Sequence, residues 1–483
     1  MRLISHIVRA CRELTTKIII VSKNNLVWVS FPVIFAAAIF LFYPSLTYYF
    51  FQDDWFVLNW VRTDSFWDLL KFRTDIIYWR PISMPLFFKL SSTLFDLAPL
   101  GFHLIGFLFH LANSTLVYIL FKKLQISRQN AILASFIYAT AAFHFVPLSW
   151  SSTTSYLIGP TFILSSIILF LKNRIISSLS FFVLGLTTSE LALTVVPIIL
   201  TLKGFNVFKK ISPYIIISLI YAVVRFFIIP VARTGVYEVA LNPQVITNLF
   251  WYFAWIFNMP EKMPTVFYFA NIPQSIQNSL EFWRYFTLPL ILIGNFFLLI
   301  FISRVNIQKI TRGMLIFLLG LSPIILLPKH VYPMYLVIAS LGIIYILIAC
   351  LDQLKSRRPL LSAVTGFLFF ASSLLTISFT RQNHWLVNEQ AISRAYINYT
   401  KKRIPDPLPN STFLFKPADH SFSKEHNFIL VETEDNVRQS LNDQDAIKVI
   451  YNDSTLRSIY LTHQEPSLIT EHMNVFEISP RSK

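Results

Sequence analysis

Two adjacent carboxylates, Asp53 and Asp54, follow the apolar run 26–46 and open a polar loop. A carboxylate at such a place can take a proton from an acceptor hydroxyl or bind a metal ion. The neighbouring aromatic residues, among them Phe51 and Trp55, would desolvate a carboxyl group and raise its pKa toward the range of a general base. We therefore predict that the pair is catalytic, with a divalent metal as an optional cofactor. The alternative is an ordinary solvated loop.

The same loop ends at Tyr78-Trp79-Arg80-Pro81. Proline fits the first turn of a helix, which would place Arg80 at a helix N-terminus, where anions are already favoured. A guanidinium neutralises phosphate oxygens through paired hydrogen bonds. Arg80, with Trp79 beside it, is thus a candidate for binding a phosphorylated substrate. The alternative is an interfacial arginine whose charged end reaches water.

A tight turn between two apolar runs carries Lys329, His330 and Tyr332. Cations at that depth are costly without an anionic partner. The turn is therefore a second candidate for holding a lipid phosphate. The alternative is an interfacial anchor with Tyr332 in an aromatic belt.

Ionisable residues inside apolar stretches are functional candidates by default. Glu190 is the only acid within 175–202, and Arg225 lies in a later apolar run. Arg225 is predicted either to bind phosphate or to pair with Glu190. His103 is predicted near the outer surface within reach of substrate, whereas His110, on the same helix face, is expected to pack.

Composition indicates a polytopic membrane protein. The 483 residues are 54% hydrophobic and 14% charged, with a mean hydropathy of +0.56, whereas soluble domains average about 25% charged residues. The net charge of +16 does not indicate a nucleic-acid partner, because the basic excess falls in short loops on one predicted side, as the positive-inside rule requires.

A spanning helix needs about 20 apolar residues. The sequence predicts eleven spans in an all-α membrane domain, 1–380, with the N-terminus inside and the C-terminus outside. The spans are 26–46, 101–121, 130–149, 156–172, 175–188, 190–202, 212–230, 285–303, 313–328, 332–351 and 360–379.

Non-spanning segments are predicted on the outer side. Segment 246–258 is too short to span and is expected to be interfacial or re-entrant. The outer catalytic loop, 47–100, should hold amphipathic surface helices at 55–61, 66–72 and 82–95.

The C-terminal part, 381–483, is predicted to be a small extracytoplasmic α+β domain that begins with a helix at 381–402. Short runs of β-type residues are separated by charged turns. The predicted strands are Thr412–Phe415, Phe428–Val431, Ile447–Tyr451, Ser458–Leu461 and Val475–Ile478.

Together these motifs resemble integral-membrane glycosyltransferases of the GT-C class, such as the protein O-mannosyltransferases and the lipid A aminoarabinose transferase. The resemblance covers roughly 20–400 and is strongest to bacterial members whose first loop ends in Tyr-x-Arg-Pro. Its elements, in chain order, are the acidic pair, Tyr-Trp-Arg-Pro-Ile (78–82), Gly-Phe-His-Leu with His-Leu-Ala-Asn (101–113), Leu-Ser-Trp-Ser-Ser (148–152), Thr-Ser-Glu (188–190) and Pro-Lys-His-Val-Tyr (328–332).

The resemblance implies an inverting enzyme of the inner or plasma membrane. It would transfer a sugar from a polyprenyl-phosphate donor, on the extracytoplasmic side, to a protein, lipid or glycan acceptor. Asp53 would be the general base and Asp54 would support it or hold a metal. Arg80, Arg225 and Lys329 would hold the donor phosphate.

Two features depart from the mannosyltransferase pattern: the pair is Asp-Asp rather than Asp-Glu, and the C-terminal tail lacks a carbohydrate-binding pattern. Three alternatives stay open. The first is a lipid-linked sugar flippase or transporter, the second is an enzyme that ligates or polymerises whole glycans, and the third is a non-catalytic scaffold.

Overall fold

The computed structural model describes residues 26–73, 76–228, 235–261, 280–354, 358–428, 434–460 and 474–481. The described chain is mostly helical and ends in a small sheet. Helices of the bundle are α1 (Leu26–Phe42), α4 (Pro99–Lys123), α5 (Arg128–Thr140), α6 (Phe145–Ser149), α7 (Ser155–Leu171), α8 (Ile175–Leu186), α9 (Val195–Lys203), α10 (Phe208–Phe227), α11 (Gln244–Ile256), α12 (Leu280–Ser303), α13 (Ile307–Leu321), α14 (Leu336–Gln353) and α15 (Arg358–Asn383).

Seven helices of the described chain are long and apolar enough to cross a membrane, and an eighth span forms if the bent pair Arg128–Thr140 and Ala142–Ser149 is one crossing. This confirms the predicted class, a helical polytopic membrane protein. Three of the predicted spans correspond to shorter helices, α8, α9 and α13. The count of eleven and the orientation stay predictions.

Contacts between helix ends show which connections lie at the same end of the bundle. At one end of the bundle Ser45 Oγ lies 2.7 Å from Ser149 Oγ, and His103 Nε2 lies 3.1 Å from the Tyr48 carbonyl oxygen. At the other end Asp352 accepts hydrogen bonds from Ser127 and Asn130. We call the first of these, defined by Tyr48 and Ser149, the site end.

Between α5 and α6 the chain bends by 46°. The helix is interrupted at Ala141, and the freed Ala142 N–H donates to Asn258 Oδ1 at 2.9 Å. Asn258 also donates to the Phe369 carbonyl oxygen, near the middle of α15. Helix α11, which leads to Asn258, therefore ends well inside the bundle, as the re-entrant alternative predicted for 246–258 requires.

The loop 47–100 folds into α2 (Asp53–Thr63), a single 3₁₀ turn (Asp68–Leu70), a π-helical turn (Ile82–Leu86) and α3 (Phe87–Phe95). The helices predicted at 55–61 and 82–95 are confirmed. The one predicted at 66–72 is wrong, since only that 3₁₀ turn forms.

The apolar face of α2, which includes Val57, Leu58 and Val61, is covered by protein. It packs in one cluster with Ile447 and Val449 of the C-terminal part. The prediction that this helix lies on the membrane surface is therefore wrong for α2, because the apolar side of α2 is buried against the protein.

The C-terminal part begins with α16 (Trp385–Arg403), as predicted, and continues with β1 (Thr412–Phe415), α17 (His420–Glu425), α18 (Glu434–Leu441), α19 (Asp445–Tyr451), β2 (Arg457–Tyr460) and β3 (Val475–Ile478). The three strands are parallel in the order β2-β1-β3, and Phe413 lies opposite Ser458 on one side and Phe476 on the other.

Three predicted strands are thus confirmed, and the one at Ile447–Tyr451 is wrong. That segment is helical because Ala446, Ile447 and Val449 are buried together, and such tertiary packing overrides the β-propensity of branched residues. The strand predicted at Phe428–Val431 lies outside the described residues beyond Phe428.

Candidate active site

Asp53 and Asp54 occupy the first turn of α2 rather than an open loop. Negative charge is favoured at a helix N-terminus. Successive helical residues point about 100° apart, so the two carboxylates face different surroundings. Asp54 is buried, with 1% of its surface exposed, whereas Asp53 is exposed.

The carboxyl group of Asp54 joins α2 to Ser152 by hydrogen bonds. Its Oδ1 accepts the Ser152 N–H at 2.8 Å and the Ser152 hydroxyl at 2.6 Å, and its Oδ2 accepts the Phe51 N–H at 3.4 Å. Burial raises the pKa of Asp54 to about 8, against the effect of these hydrogen bonds and with a small contribution from Asp53. The group is therefore mainly neutral at neutral pH and anchors α2 to the span that begins at 151.

Asp53 differs from its neighbour because its surface remains open to solvent. The surrounding protein nevertheless desolvates its carboxyl group and raises its pKa. The helix that Asp53 begins also lines a pocket, through Trp60, together with Tyr78 and Arg80; we call this pocket the recess. Of the pair, Asp53 is the one placed to exchange a proton with a bound molecule.

Arg80 is bound to Glu190. Its Nε and Nη2 donate to Glu190 Oε2 at 3.0 and 2.7 Å, and the side chains are 18% and 20% exposed. The two segments that carry these side chains are also hydrogen-bonded to each other: the Ile82 N–H donates to Thr187 O at 3.2 Å, and the Ser83 hydroxyl donates to Thr188 O at 2.7 Å. The helical turn that follows Pro81 confirms the predicted helix start after Arg80.

Arg225 contributes charge to the same place. Burial by itself would raise the pKa of Glu190, but the charge of Arg80, with a smaller contribution from Arg225, lowers it instead. The hydrogen-bonded partner of Glu190 is Arg80, and a pairing of Arg225 with Glu190 stays a prediction.

Tyrosine side chains form the wall around this cluster. The Arg80 guanidinium lies over the Tyr78 ring, 4.7 Å from its centroid, and 5.8 Å from that of Tyr156. Tyr156 meets Tyr335 edge to face at 5.3 Å. An aromatic face beside a guanidinium strengthens the local hold on a cation and fixes its orientation.

The wall continues at Tyr237, His330 and Tyr332. The His330 ring lies 4.2 Å from Tyr237 and 4.9 Å from Tyr332, measured between centroids. Burial, with the charge of Arg80, lowers the pKa of His330 to about 4. His330 is therefore neutral at neutral pH and can offer a hydrogen bond but no charge to an anion.

Two tyrosines connect Asp53 with Arg80. Burial raises the pKa of Tyr78, and the Asp53 carboxylate adds to this shift while Arg80 opposes it. Burial likewise raises the pKa of Tyr237 to about 12, Arg80 lowers it, and Asp53 contributes to the rise. Both charges thus act on the same two phenols, and the helix that begins at Asp53 lines the recess, through Trp60, together with Tyr78 and Arg80.

Three other predicted site residues have partners of their own. The Lys329 ammonium lies 2.7 Å from Glu238, on an exposed part of the turn. His103 is buried against the Tyr48 carbonyl. The Trp79 indole donates to the Leu70 carbonyl oxygen at 3.0 Å, and Trp79 lines the recess beside Arg80.

Sequence reasoning missed Tyr78, Tyr156 and Tyr237 as wall residues. Tyr78 was adjacent to a predicted residue, but Tyr156 and Tyr237 carry no local signal that separates them from the many other aromatics of the chain.

The predicted metal site does not fit this arrangement. Asp54 already accepts three hydrogen bonds and is buried. Within the described residues there is no group of three or more His, Cys, Asp or Glu side chains that could hold a metal ion. Asp53 is then a single carboxylate, which is too few ligands for a metal site of the kind predicted.

The chain matches no protein-family model and no curated protein. The resemblance to GT-C glycosyltransferases therefore rests on the order and spacing of the motifs alone.

Proposed function

We propose that this protein is a membrane glycosyltransferase of the GT-C type, which transfers a sugar from a polyprenyl-phosphate donor to an acceptor hydroxyl. The observation that carries the proposal is the recess itself. Asp53 is an exposed carboxylate with a raised pKa and begins the helix that lines the recess through Trp60. Arg80, bound to Glu190, lines the same recess.

The chemistry needs a base at one side of the sugar and cations at the other. Asp53 takes the proton of the acceptor hydroxyl as its oxygen forms a bond to the anomeric carbon. The bond from that carbon to the phosphate oxygen breaks, and the electron pair leaves with the lipid phosphate. Arg80 and Arg225 stabilise the charge that develops on the leaving phosphate. A single displacement of this kind inverts the anomeric configuration.

The membrane topology that we propose places this recess outside the cytoplasm. If α8, α9 and α13 cross together with the eight candidate spans, the chain makes eleven crossings. The connections that carry Lys122, Lys172 and Arg304 then lie at the end opposite the recess, and the positive-inside rule assigns that end to the cytoplasm. A lipid-linked donor stays in the bilayer, so a recess where the spans end is within its reach.

A lipid flippase is the second candidate. The bend at Ala141 and the segment that ends at Asn258 are interruptions inside the bundle, of the kind that transporters use. Both functions bind a lipid phosphate, so binding does not distinguish them. Only the transferase consumes the donor and requires the Asp53 carboxylate.

The experiment uses purified protein in detergent with a panel of polyprenyl-phosphate sugars, a panel of acceptors, and the Asp53→Asn variant. Release of free polyprenyl phosphate by the wild type for one donor, and not by the variant, is the expected result. Movement of intact donor across proteoliposomes, with no release of polyprenyl phosphate, would instead establish the flippase.

A further inference from the structure

The C-terminal part holds the loop that carries the aspartate pair. The Trp55 indole donates to Ser393 Oγ at 2.9 Å, and the Tyr49 N–H donates to Gln390 Oε1 at 3.2 Å. One turn further along α2, Asn59 Nδ2 donates to Asp445 Oδ1 at 2.8 Å. These contacts come from α16 and from the start of α19, so α2 is attached to the C-terminal part along its length.

Gln52, the residue directly before Asp53, has a strained backbone. Its φ of 47° and ψ of −126° fall in a region that glycine adopts freely and that side chains with a Cβ adopt at a cost. Such conformations persist only where surrounding contacts hold them. Here the Gln52 N–H donates to the Ser440 carbonyl oxygen of α18 at 3.0 Å.

Glu389 of α16 is the centre of the same attachment. Its side chain is buried, with 4% of the residue exposed, and accepts hydrogen bonds from the Ser440 hydroxyl and from Asn436 Nδ2 at 3.4 Å. A carboxylate accepts such bonds through both oxygens. Glu389 thus fixes Ser440 of α18, and the Ser440 carbonyl oxygen accepts the N–H of the strained residue before Asp53.

We propose that Glu389 and Ser440 are positioning residues, which hold Gln52 in its strained conformation and so direct Asp53 into the recess beside Arg80. The inference rests on the proposed function, because it takes Asp53 as the catalytic base. It gives the C-terminal part a defined task in turnover, although neither Glu389 nor Ser440 reaches the recess.

The test compares Glu389→Ala with the wild type in the full-length protein. Two quantities are read: hydrogen–deuterium exchange of the amides at 50–56, and kcat and donor KM measured separately. We expect faster exchange at 50–56. We also expect kcat to fall about 10- to 100-fold, since a displacement of 1 Å at a reacting group has such an effect. The donor KM should stay within about threefold of the wild type, because Arg80 is untouched.

The matched control is Glu477→Gln, compared with Glu389→Gln. Glu477 also lies in the C-terminal part, but it is 53% exposed and paired with Lys416 on the surface. The same chemical change should leave exchange and kcat unaltered there, and alter both at Glu389. If Glu389→Ala does not fold, Ser440→Ala, which removes a single donor, is measured in its place with the same expectations at smaller size.

A second variant tests the role of strain. Glycine adopts the backbone angles of Gln52 without steric cost, so in a Gln52→Gly background the loss of Glu389 should lower kcat less than it does in the wild-type background. Equal effects in both backgrounds would overturn the claim that the strained residue is what Glu389 holds.

Failure of this inference and failure of the proposed function give different results. If Asp53→Asn abolishes turnover while Glu389→Ala changes neither exchange nor kcat, the positioning claim is wrong and the transferase stands. If the wild type turns over no donor, the proposed function is wrong, and exchange at 50–56 still decides whether Glu389 holds the loop.

Discussion

Asp54→Asn should be tolerated, although Asp54 directly follows the proposed base. Because burial raises the pKa of Asp54 to about 8, the group is already mainly uncharged at neutral pH, and an amide removes no charge. The asparagine carbonyl keeps both hydrogen bonds from Ser152. The weaker bond from the Phe51 N–H, at 3.4 Å, is lost.

One weak buried hydrogen bond is worth about 1 kcal/mol. Below about pH 4, where the unfolded chain also holds the Asp54 proton, Asp54→Asn should lower the free energy of unfolding by about that amount. It should change kcat little. Asp54→Ala leaves the N–H groups of Ser152 and Phe51 buried without acceptors, at about 1–3 kcal/mol each. Its loss of stability should therefore be about 3 kcal/mol or more.

The pH dependence provides an independent check. The folded-state pKa of Asp54 lies above its unfolded value of about 3.9, so between these two values the folded protein holds a proton that the unfolded chain has released. The wild type therefore loses stability as pH rises toward 8, and Asp54→Asn does not. The wild type should therefore be the more stable protein below about pH 4, and Asp54→Asn the more stable one near pH 8.

The assay is thermal unfolding in detergent at several pH values, together with donor turnover. Two results would refute the reasoning: an Asp54→Asn protein as unstable as Asp54→Ala, or one as inactive as Asp53→Asn.

Three further predictions concern other parts of the molecule. Arg80→Gln and Glu190→Gln each leave a partly buried charge without its hydrogen-bonded partner. In thermal unfolding the double variant should therefore lose about 1–2 kcal/mol less stability than the sum of the two single losses. Strict additivity of the losses would contradict the pairing. Because burial raises the pKa of Asp53, the acidic limb of kcat/KM should lie above the ordinary Asp value of about 3.9, and a rate that stays constant down to pH 4 would rule out Asp53 as the base. Asn258→Leu leaves the Ala142 N–H unpaired at the bend and should lower the free energy of unfolding by about 1–3 kcal/mol, whereas an unchanged stability would show that the bend does not depend on Asn258.

Helices of the bundle were predictable because apolar runs are a local signal. Helix α4, Pro99–Lys123, was expected at 101–121. The span expected at 313–328 instead forms a helix at Ile307–Leu321, since Asn306 caps its start through the Gln308 N–H and Pro323 follows its end. Capping signals would have located this helix better than hydropathy did.

Partners in the site were less predictable because they are distant in sequence. Arg80 and Glu190 are 110 positions apart, and Asp54 and Ser152 are 98 apart. Both acids of the pair were expected to be catalytic because a loop gives no direction to a side chain. In the helix that begins at Asp53 the two side chains point in different directions, and the Asp54 carboxyl group is buried against Ser152.

The C-terminal part shows the same limit. The segment 447–451 has the composition of a strand, but its burial against α2 depends on residues almost 400 positions away, and no local pattern contains that information. For the same reason no local pattern indicates that the Gln52 N–H donates to Ser440 or that the Ser440 hydroxyl donates to Glu389.

The central claim is that Asp53 acts as the base in sugar transfer from a lipid phosphate. Its most direct test is the release of polyprenyl phosphate by the wild type, Asp53→Asn and Asp54→Asn, measured side by side with one donor and acceptor that the wild type uses. We predict release by the wild type and Asp54→Asn and none above background from Asp53→Asn, with donor binding retained in all three. Release by Asp53→Asn at the wild-type rate would contradict the account.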